Sequence, residues 1–218
     1  MTKGYKILHF CLAWLVRLLF RVKVVNRENE PVADRNFIVC SNHLVATDVV
    51  VIASALRKHQ IRFMAKKELF KVPVLGWLVK CLGAFPVDRQ SNGAGAIFHS
   101  AKILKEGKTL GIFPQGTRCK GKDPRSTRIK NGVGMIAIKA EADILPVFIR
   151  VKDHSPRIFR RNVVIIGKPI SFSELGYDPD AKDDYIRISR LIFDEICKLG
   201  EEYDRSVALK KERKRKTK

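Results

Sequence analysis

Short apolar runs alternate with amphipathic stretches along most of the chain. Phe37-Ile38-Val39-Cys40 reads as a buried strand, and DVVVIASALRKH, beginning at Asp48, reads as a helix that Thr47 or Asp48 is placed to cap. IRFMA from Ile61 is a strand, and KKELFKVPVLGWLVKCLG is helical in pieces broken at Pro73. AFPV from Ala84 is a short strand, and GAGAIFHSAKILKEG is an amphipathic helix stopped by Gly107. TLGIFP from Thr109 is a buried strand, followed by a long polar loop over 115–132. VGMIAIKAEA is a helix, DILPVFIRV and NVVIIGKPI are strands, and DDYIRISRLIFDEICKLGEEYD is a long final helix. Strands alternating with helices predict an α/β fold, a mixed β-sheet flanked by helices on both faces. No internal repeat or linker interrupts the pattern.

The N-terminal stretch YKILHFCLAWLVRLLFRVKVV departs from it. Its apolar run from Ile7 to Phe20, broken by His9 and Arg17, is short for a spanning helix, which needs about 20 residues. On a helical wheel Lys3, Lys6, Arg17 and Arg21 fall within roughly 60° of one another. That basic stripe on an apolar helix predicts a segment lying in one leaflet with its cations among the headgroups. No small-residue cleavage site follows it. The expected organisation is a membrane-associated helix over 1–25, one domain over 26–205 and a basic, disordered tail over 206–218.

The chain has 218 residues, enough for a sizeable core, and 43 Lys plus Arg against 22 Asp plus Glu, a net charge of +21. From Lys210 to Lys218 seven residues are basic and one is acidic. Such a chain suits an anionic partner: a nucleic acid, an anionic membrane surface or a phosphorylated substrate. Nothing but charge favours nucleic acid, since no aromatic-interleaved basic strand, zinc pattern or helix-turn-helix is present. The five cysteines, at 11, 40, 81, 119 and 197, form no CxxC pair and read as reduced and packed, as in the cytoplasm. Cys119, in the polar loop, is the one most open to reaction. His9, His59, His99 and His154 have no evident partner and are expected at the surface or at an interface.

The stretch CSNHLVATD places His43 five residues before Asp48. On one helix the two would sit about 140° apart, and on one strand they would face opposite sides. They meet only across a bend, and a strand ending near Cys40 and a helix opening at Asp48 supply one. A neutral imidazole held by a carboxylate is a general base. Other strand exits carry cations: Arg118 after IFPQGT, Arg89 after GAFPVD, and Lys66 with Lys67 after FMA. An arginine so placed is able to grip a phosphate bidentately. Loops beyond strand ends are where α/β folds collect their sites.

These motifs together resemble the glycerolipid acyltransferase family, in particular the bacterial 1-acyl-sn-glycerol-3-phosphate acyltransferases. Asn42, His43 and Asp48 match the family's N-H-x-x-x-x-D, GAFPVDR its second motif, FPQGTR its third and ILPVFI its fourth, in the family's order, over about residues 5 to 175. The resemblance implies that His43 takes the proton of the free sn-2 hydroxyl of lysophosphatidate, oriented by Asp48, and that the alkoxide attacks an acyl thioester to give phosphatidate. It implies an acyl-CoA or acyl carrier protein as co-substrate, with no acyl-enzyme, cofactor or metal. Lys66, Arg89 and Arg118 would hold the acceptor phosphate, with Gln115, Gly116 and Thr117 forming the turn. Backbone amides near Gly116 or the Asn42 side chain would serve the oxyanion. The protein would work peripherally on the cytoplasmic face of the cell membrane. One departure stands out: the third motif's usual glutamate is Gln115, which keeps the shape and one acceptor oxygen without the charge. Transfer to glycerol-3-phosphate or another lysophospholipid, and hydrolysis of the thioester by water, use the same groups.

Overall fold

The computed structural model describes residues 13–32, 36–81, 83–87 and 93–216. The elements run α1 (13–19), β1 (Val22–Val25), β2 (Phe37–Ser41), α2 (Asp48–Ala55), β3 (Ile61–Lys66), α3 (Pro73–Cys81), β4 (Phe85–Val87), α4 (Ala94–Lys105), β5 (Thr109–Ile112), α5 (Gly132–Ala140), β6 (Asp143–Arg150), β7 (Asn162–Ile166) and α6 (Asp184–Lys216). The seven strands form one sheet in the order β1-β7-β6-β2-β5-β3-β4. All neighbours are parallel except β6 and β7, so the sheet is mixed.

Successive strand residues point to opposite faces, which divides the core in two. Phe37, Val39, Leu145, Val147, Ile149, Val164 and Ile166 face one cluster, completed by Val16 and Phe20 at α1 and by Val51, Ile52 and Ala55 of α2. Ile38, Cys40, Leu110, Ile112, Ile144, Phe148 and Ile165 face the other, beneath α4, α5 and α6. A continuous apolar strand such as β2, buried at every residue, is what a sheet covered on both faces requires. Because β2, β5, β3 and β6 are parallel, their C-terminal ends, and the loops that leave them, lie along a single edge of the sheet.

Several sequence expectations change. Val22–Val25 is not part of a membrane helix but an edge strand, paired with Asn162–Ile165 of β7. Four residues with lysine in second place resemble a helix end as much as a strand, and their partner lies far along the chain. The Arg17 guanidinium does not project toward headgroups: it donates to the Ser54 carbonyl, while Arg27 Nη1 donates to Ala55 O at 2.9 Å. Cations at the free carbonyls of a helix C-terminus complement its dipole. Burial, and then Arg57 and Arg27 nearby, pull the Arg17 pKa down to about 10. The other face of α1 does expose Trp14, Leu15 and Leu18. Among the described residues no helix is long and apolar enough to cross a membrane. The tail is not disordered as expected, since α6 runs unbroken to Lys216. His59 is buried, with Nε2 3.1 Å from Pro31 O and its ring edge-on to Phe37. Cys119, too, is buried rather than open in its loop, as are Cys40 and Cys197.

Candidate active site

β2 ends at Ser41, the chain turns through 42–47, and α2 begins at Asp48. The turn brings His43 back onto the first turn of that helix. Asp48 Oδ2 lies 2.9 Å from His43 Nδ1 and accepts the Leu44 and Val45 N–H groups at 2.5 and 2.8 Å. The carboxylate is buried, and these three contacts fix both its own position and the ring's. Nδ1 being engaged, Nε2 is the nitrogen left to act. The ring stacks on Phe113, centroids 4.0 Å apart and planes 14° from parallel, and Phe113 stacks in turn on Phe63.

His43 lines a cavity of about 490 Å³ whose wall is mainly apolar, including Phe63, Met64, Ile97, Phe113 and Ile136. Gly111 keeps that wall in place: a Cβ there would stand 2.3 Å from the Phe63 ring. The cavity's cation is Lys130, beside Gly116.

The loop after β5 holds His43 by its backbone. Gln115 Oε1 accepts the His43 N–H at 2.6 Å, and the Cys119 N–H donates to the His43 carbonyl at 2.9 Å. Gln115 is buried, and its Nε2 donates to Thr127 Oγ1 at 2.8 Å, whose own proton goes to Pro124 O at 2.6 Å. Gln115 thus orients the turn. Gly116 sits at φ 66°, in the left-handed region, where its N–H closes the turn onto Phe113 O at 2.9 Å. Further along, Arg125 pairs with Asp194 and Glu201 at 2.6 and 2.7 Å, clipping the loop to α6.

Thr117 and Arg118 are exposed just beyond Gly116, and Lys66 is exposed at the end of β3, on the same face as the cavity residue Met64. Arg89 lies outside the described residues. Two suggested oxyanion donors are otherwise engaged. Asn42 is fully buried, its Nδ2 donating to Ile149 O at 3.1 Å and its Oδ1 accepting Ile149 N–H at 2.8 Å. It is a clip between β2 and β6, and the Gly116 N–H is spent on Phe113 O. Sequence reasoning missed Phe113, Thr127 and Lys130. Phe113 lies inside the FPQGTR motif, but its stacking partner is 70 residues away in sequence. Lys130 looked like one more cation in a polar loop.

The Gln115 contacts give an expected outcome for Gln115→Glu. The carboxylate still accepts the His43 N–H, but Thr127 must turn its one proton from Pro124 O to the new oxygen. One hydrogen bond is exchanged, at a cost of about 1 kcal/mol in stability. Activity should stay within about tenfold of the parent, because the base is His43. Thermal melting and steady-state rates check both statements; a parent that is inert until Gln115→Glu switches it on refutes the second.

Known proteins agree with this architecture. The acyltransferase family pattern matches residues 21–150. The 1-acyl-sn-glycerol-3-phosphate acyltransferase of Bacillus subtilis is 34% identical over 177 residues, 80% of this chain and 86% of that protein. The Streptococcus pneumoniae protein of the same name is 37% identical over 123 residues, 56% of this chain but only 44% of its own length. Among solved structures, the 1-acyl-sn-glycerophosphate acyltransferase of Thermotoga maritima superposes with a TM-score of 0.71 at 26% identity, covering 93% of this chain and 79% of that one. With the family pattern running from β1 to the end of β6 and enclosing His43, Asp48 and Gln115, the chain belongs to the acyltransferase family.

Proposed function

We propose that this protein acylates the sn-2 hydroxyl of 1-acyl-glycerol-3-phosphate, giving phosphatidate, at an anionic membrane surface. The observation that carries the reading is the His43–Asp48 pair opening into a mainly apolar cavity that Lys130 also lines. Bacterial relatives bear the name of that activity.

The acceptor hydroxyl gives its proton to His43 Nε2, and Asp48, on Nδ1, stabilises the imidazolium that forms. The acceptor oxygen attacks the thioester carbonyl of acyl-CoA or an acyl-carrier protein. The tetrahedral adduct collapses by breaking the C–S bond, and the departing thiolate takes the proton back from the imidazolium. The ester and a free thiol leave, and no group on the protein is acylated. The apolar cavity suits an acyl chain, and Arg118, Lys66 and Lys130 are the cations for the acceptor phosphate. Arg89 completes the second motif in sequence and belongs to the same expectation. A net charge of +21 favours an anionic bilayer, from whose cytoplasmic face the acceptor would be drawn.

An acceptor panel tests this. Purified protein given an acyl-CoA should release free thiol with lysophosphatidate and stay silent with glycerol-3-phosphate or lysophosphatidylcholine. Release without any acceptor would make it a thioesterase. Arg118→Ala should raise the KM for lysophosphatidate and leave the donor's KM in place. A charge-assisted hydrogen bond contributes about 1.5–3 kcal/mol, so kcat/KM should fall roughly 10- to 150-fold. A change confined to the donor's KM would assign Arg118 to the phosphates of the donor.

A further inference from the structure

The loop between β6 and β7 reads VKDHSPRIFRR, and its tip has no role in the site described above. Residues 157–161 are all exposed, Ile158 at 57% and Phe159 at 66%. Phe159 holds φ at 62°. Asp153 and His154, also left-handed in this loop, are types that tolerate that region; a bulky aromatic does not, and such strain persists where the surroundings impose it and a function uses it. The tip is held, not loose. The Phe159 N–H donates to Leu19 O at 2.6 Å, the Arg160 N–H to Arg157 O at 3.2 Å, and Asn162 Nδ2 to Phe20 O and Arg160 O at 2.7 and 2.9 Å. The strained phenylalanine is therefore pinned to the end of α1, next to exposed Leu18. Arg157, Arg160 and Arg161 flank it, and no carboxylate pairs with any of them among the described residues. The loop leaves β6 at the edge that carries His43, and the Gly121 N–H, three residues past Arg118, donates to His154 O at 2.9 Å.

We infer that residues 157–161 are a membrane-contacting tip, with Ile158 and Phe159 entering an anionic bilayer and the three arginines among its headgroups. This deepens the proposed function, since it rests on the acceptor being a membrane lipid. Two adjacent apolar side chains bracketed by unpaired arginines match both layers of such an interface, acyl and headgroup. An acidic protein partner would match the arginines and leave the apolar pair without a counterpart. The location beside the phosphate-binding loop places the cavity at the surface from which the acceptor comes.

The test uses the full chain and substrate-free vesicles, one set of phosphatidylcholine with phosphatidylglycerol and one of phosphatidylcholine alone. Phe159→Asn installs a residue at ease in the left-handed region, so its melting temperature should equal or exceed the parent's. Its partition onto the anionic vesicles should nevertheless fall several-fold, and that of the Ile158→Asn, Phe159→Asn pair at least tenfold. Arg160→Ser with Arg161→Ser should remove most of the parent's preference for anionic over neutral vesicles. The pair's KM for lysophosphatidate in vesicles should rise, while turnover of a short-chain, water-soluble lysophosphatidate stays within twofold. A parent that ignores anionic vesicles, or a double variant that partitions within twofold of the parent, overturns the inference. Unchanged partition with a raised KM for a carrier-protein donor assigns the tip to that acidic protein instead. Because the vesicles hold no substrate, failure of the parent to acylate lysophosphatidate would defeat the proposed function while partition still decides this inference.

Discussion

His43→Ala should lower acyl transfer by roughly three orders of magnitude or more, toward the upper part of the 10²–10⁴ that a positioned general base supplies. His43 lines the cavity, and Asp48 fixes its Nδ1. With the imidazole gone, no other histidine and no carboxylate is among the described residues lining the cavity, and buried Asp48 is held by the Leu44 and Val45 amides. Vesicle partition should be that of the parent, because the ring is on the cavity and not on the outer surface. Activity within tenfold of the parent would end the mechanism.

Asp48→Asn should cost a comparable factor, on the order of 10³- to 10⁴-fold in kcat by analogy with the serine triads, while leaving the fold in place. The Asp48 oxygen that meets His43 Nδ1 also accepts the Leu44 and Val45 N–H groups. An asparagine oxygen in that place keeps all three contacts, so the turn and the ring orientation survive. What is lost is the negative charge: a neutral amide no longer stabilises the imidazolium that forms when His43 takes the acceptor proton. The discriminating measurement compares Asp48→Asn with Asp48→Ala: the first should melt close to the parent and the second well below it, with both nearly inactive. An Asp48→Asn enzyme with parental kcat would show that Asp48 is only a brace for the turn.

The bend between His43 and Asp48 was legible because a five-residue spacing fits neither a helix face nor a strand face, and the flanks on either side are strongly patterned. The strand assignments held for the same reason: β2, β5, β6 and β7 are short apolar runs rich in Ile and Val, bounded by polar residues and without a helical period. Asn42 was misread because a buried amide and an active-site amide look alike until the partner is seen, and its partner, Ile149, lies 107 residues on. β1 was invisible for a related reason. Four residues carry little period of their own, and what makes them a strand is β7. The tail's helix was hidden by charge: its apolar content is too low for a packed face, yet α6 enters it already formed, and extending an existing helix avoids the cost of nucleation.

The pairing of β1 with β7 has a consequence during synthesis. Val22 is matched with Asn162, and the carbonyls of Leu19 and Phe20 are held by Phe159 and Asn162. Chains elongate at about 5–20 residues per second, so the roughly 140 residues between these partners take on the order of 7–28 s to be made. For that interval the first apolar helix and the edge strand after it have no sheet to join. Closing so long a loop comes late in folding on any ordering by contact separation. The segment that seals one edge of the sheet thus leaves the ribosome long before the strand that seats it. A ribosome stalled before β7 should present the N-terminal segment to protease, and one that has released the full chain should not.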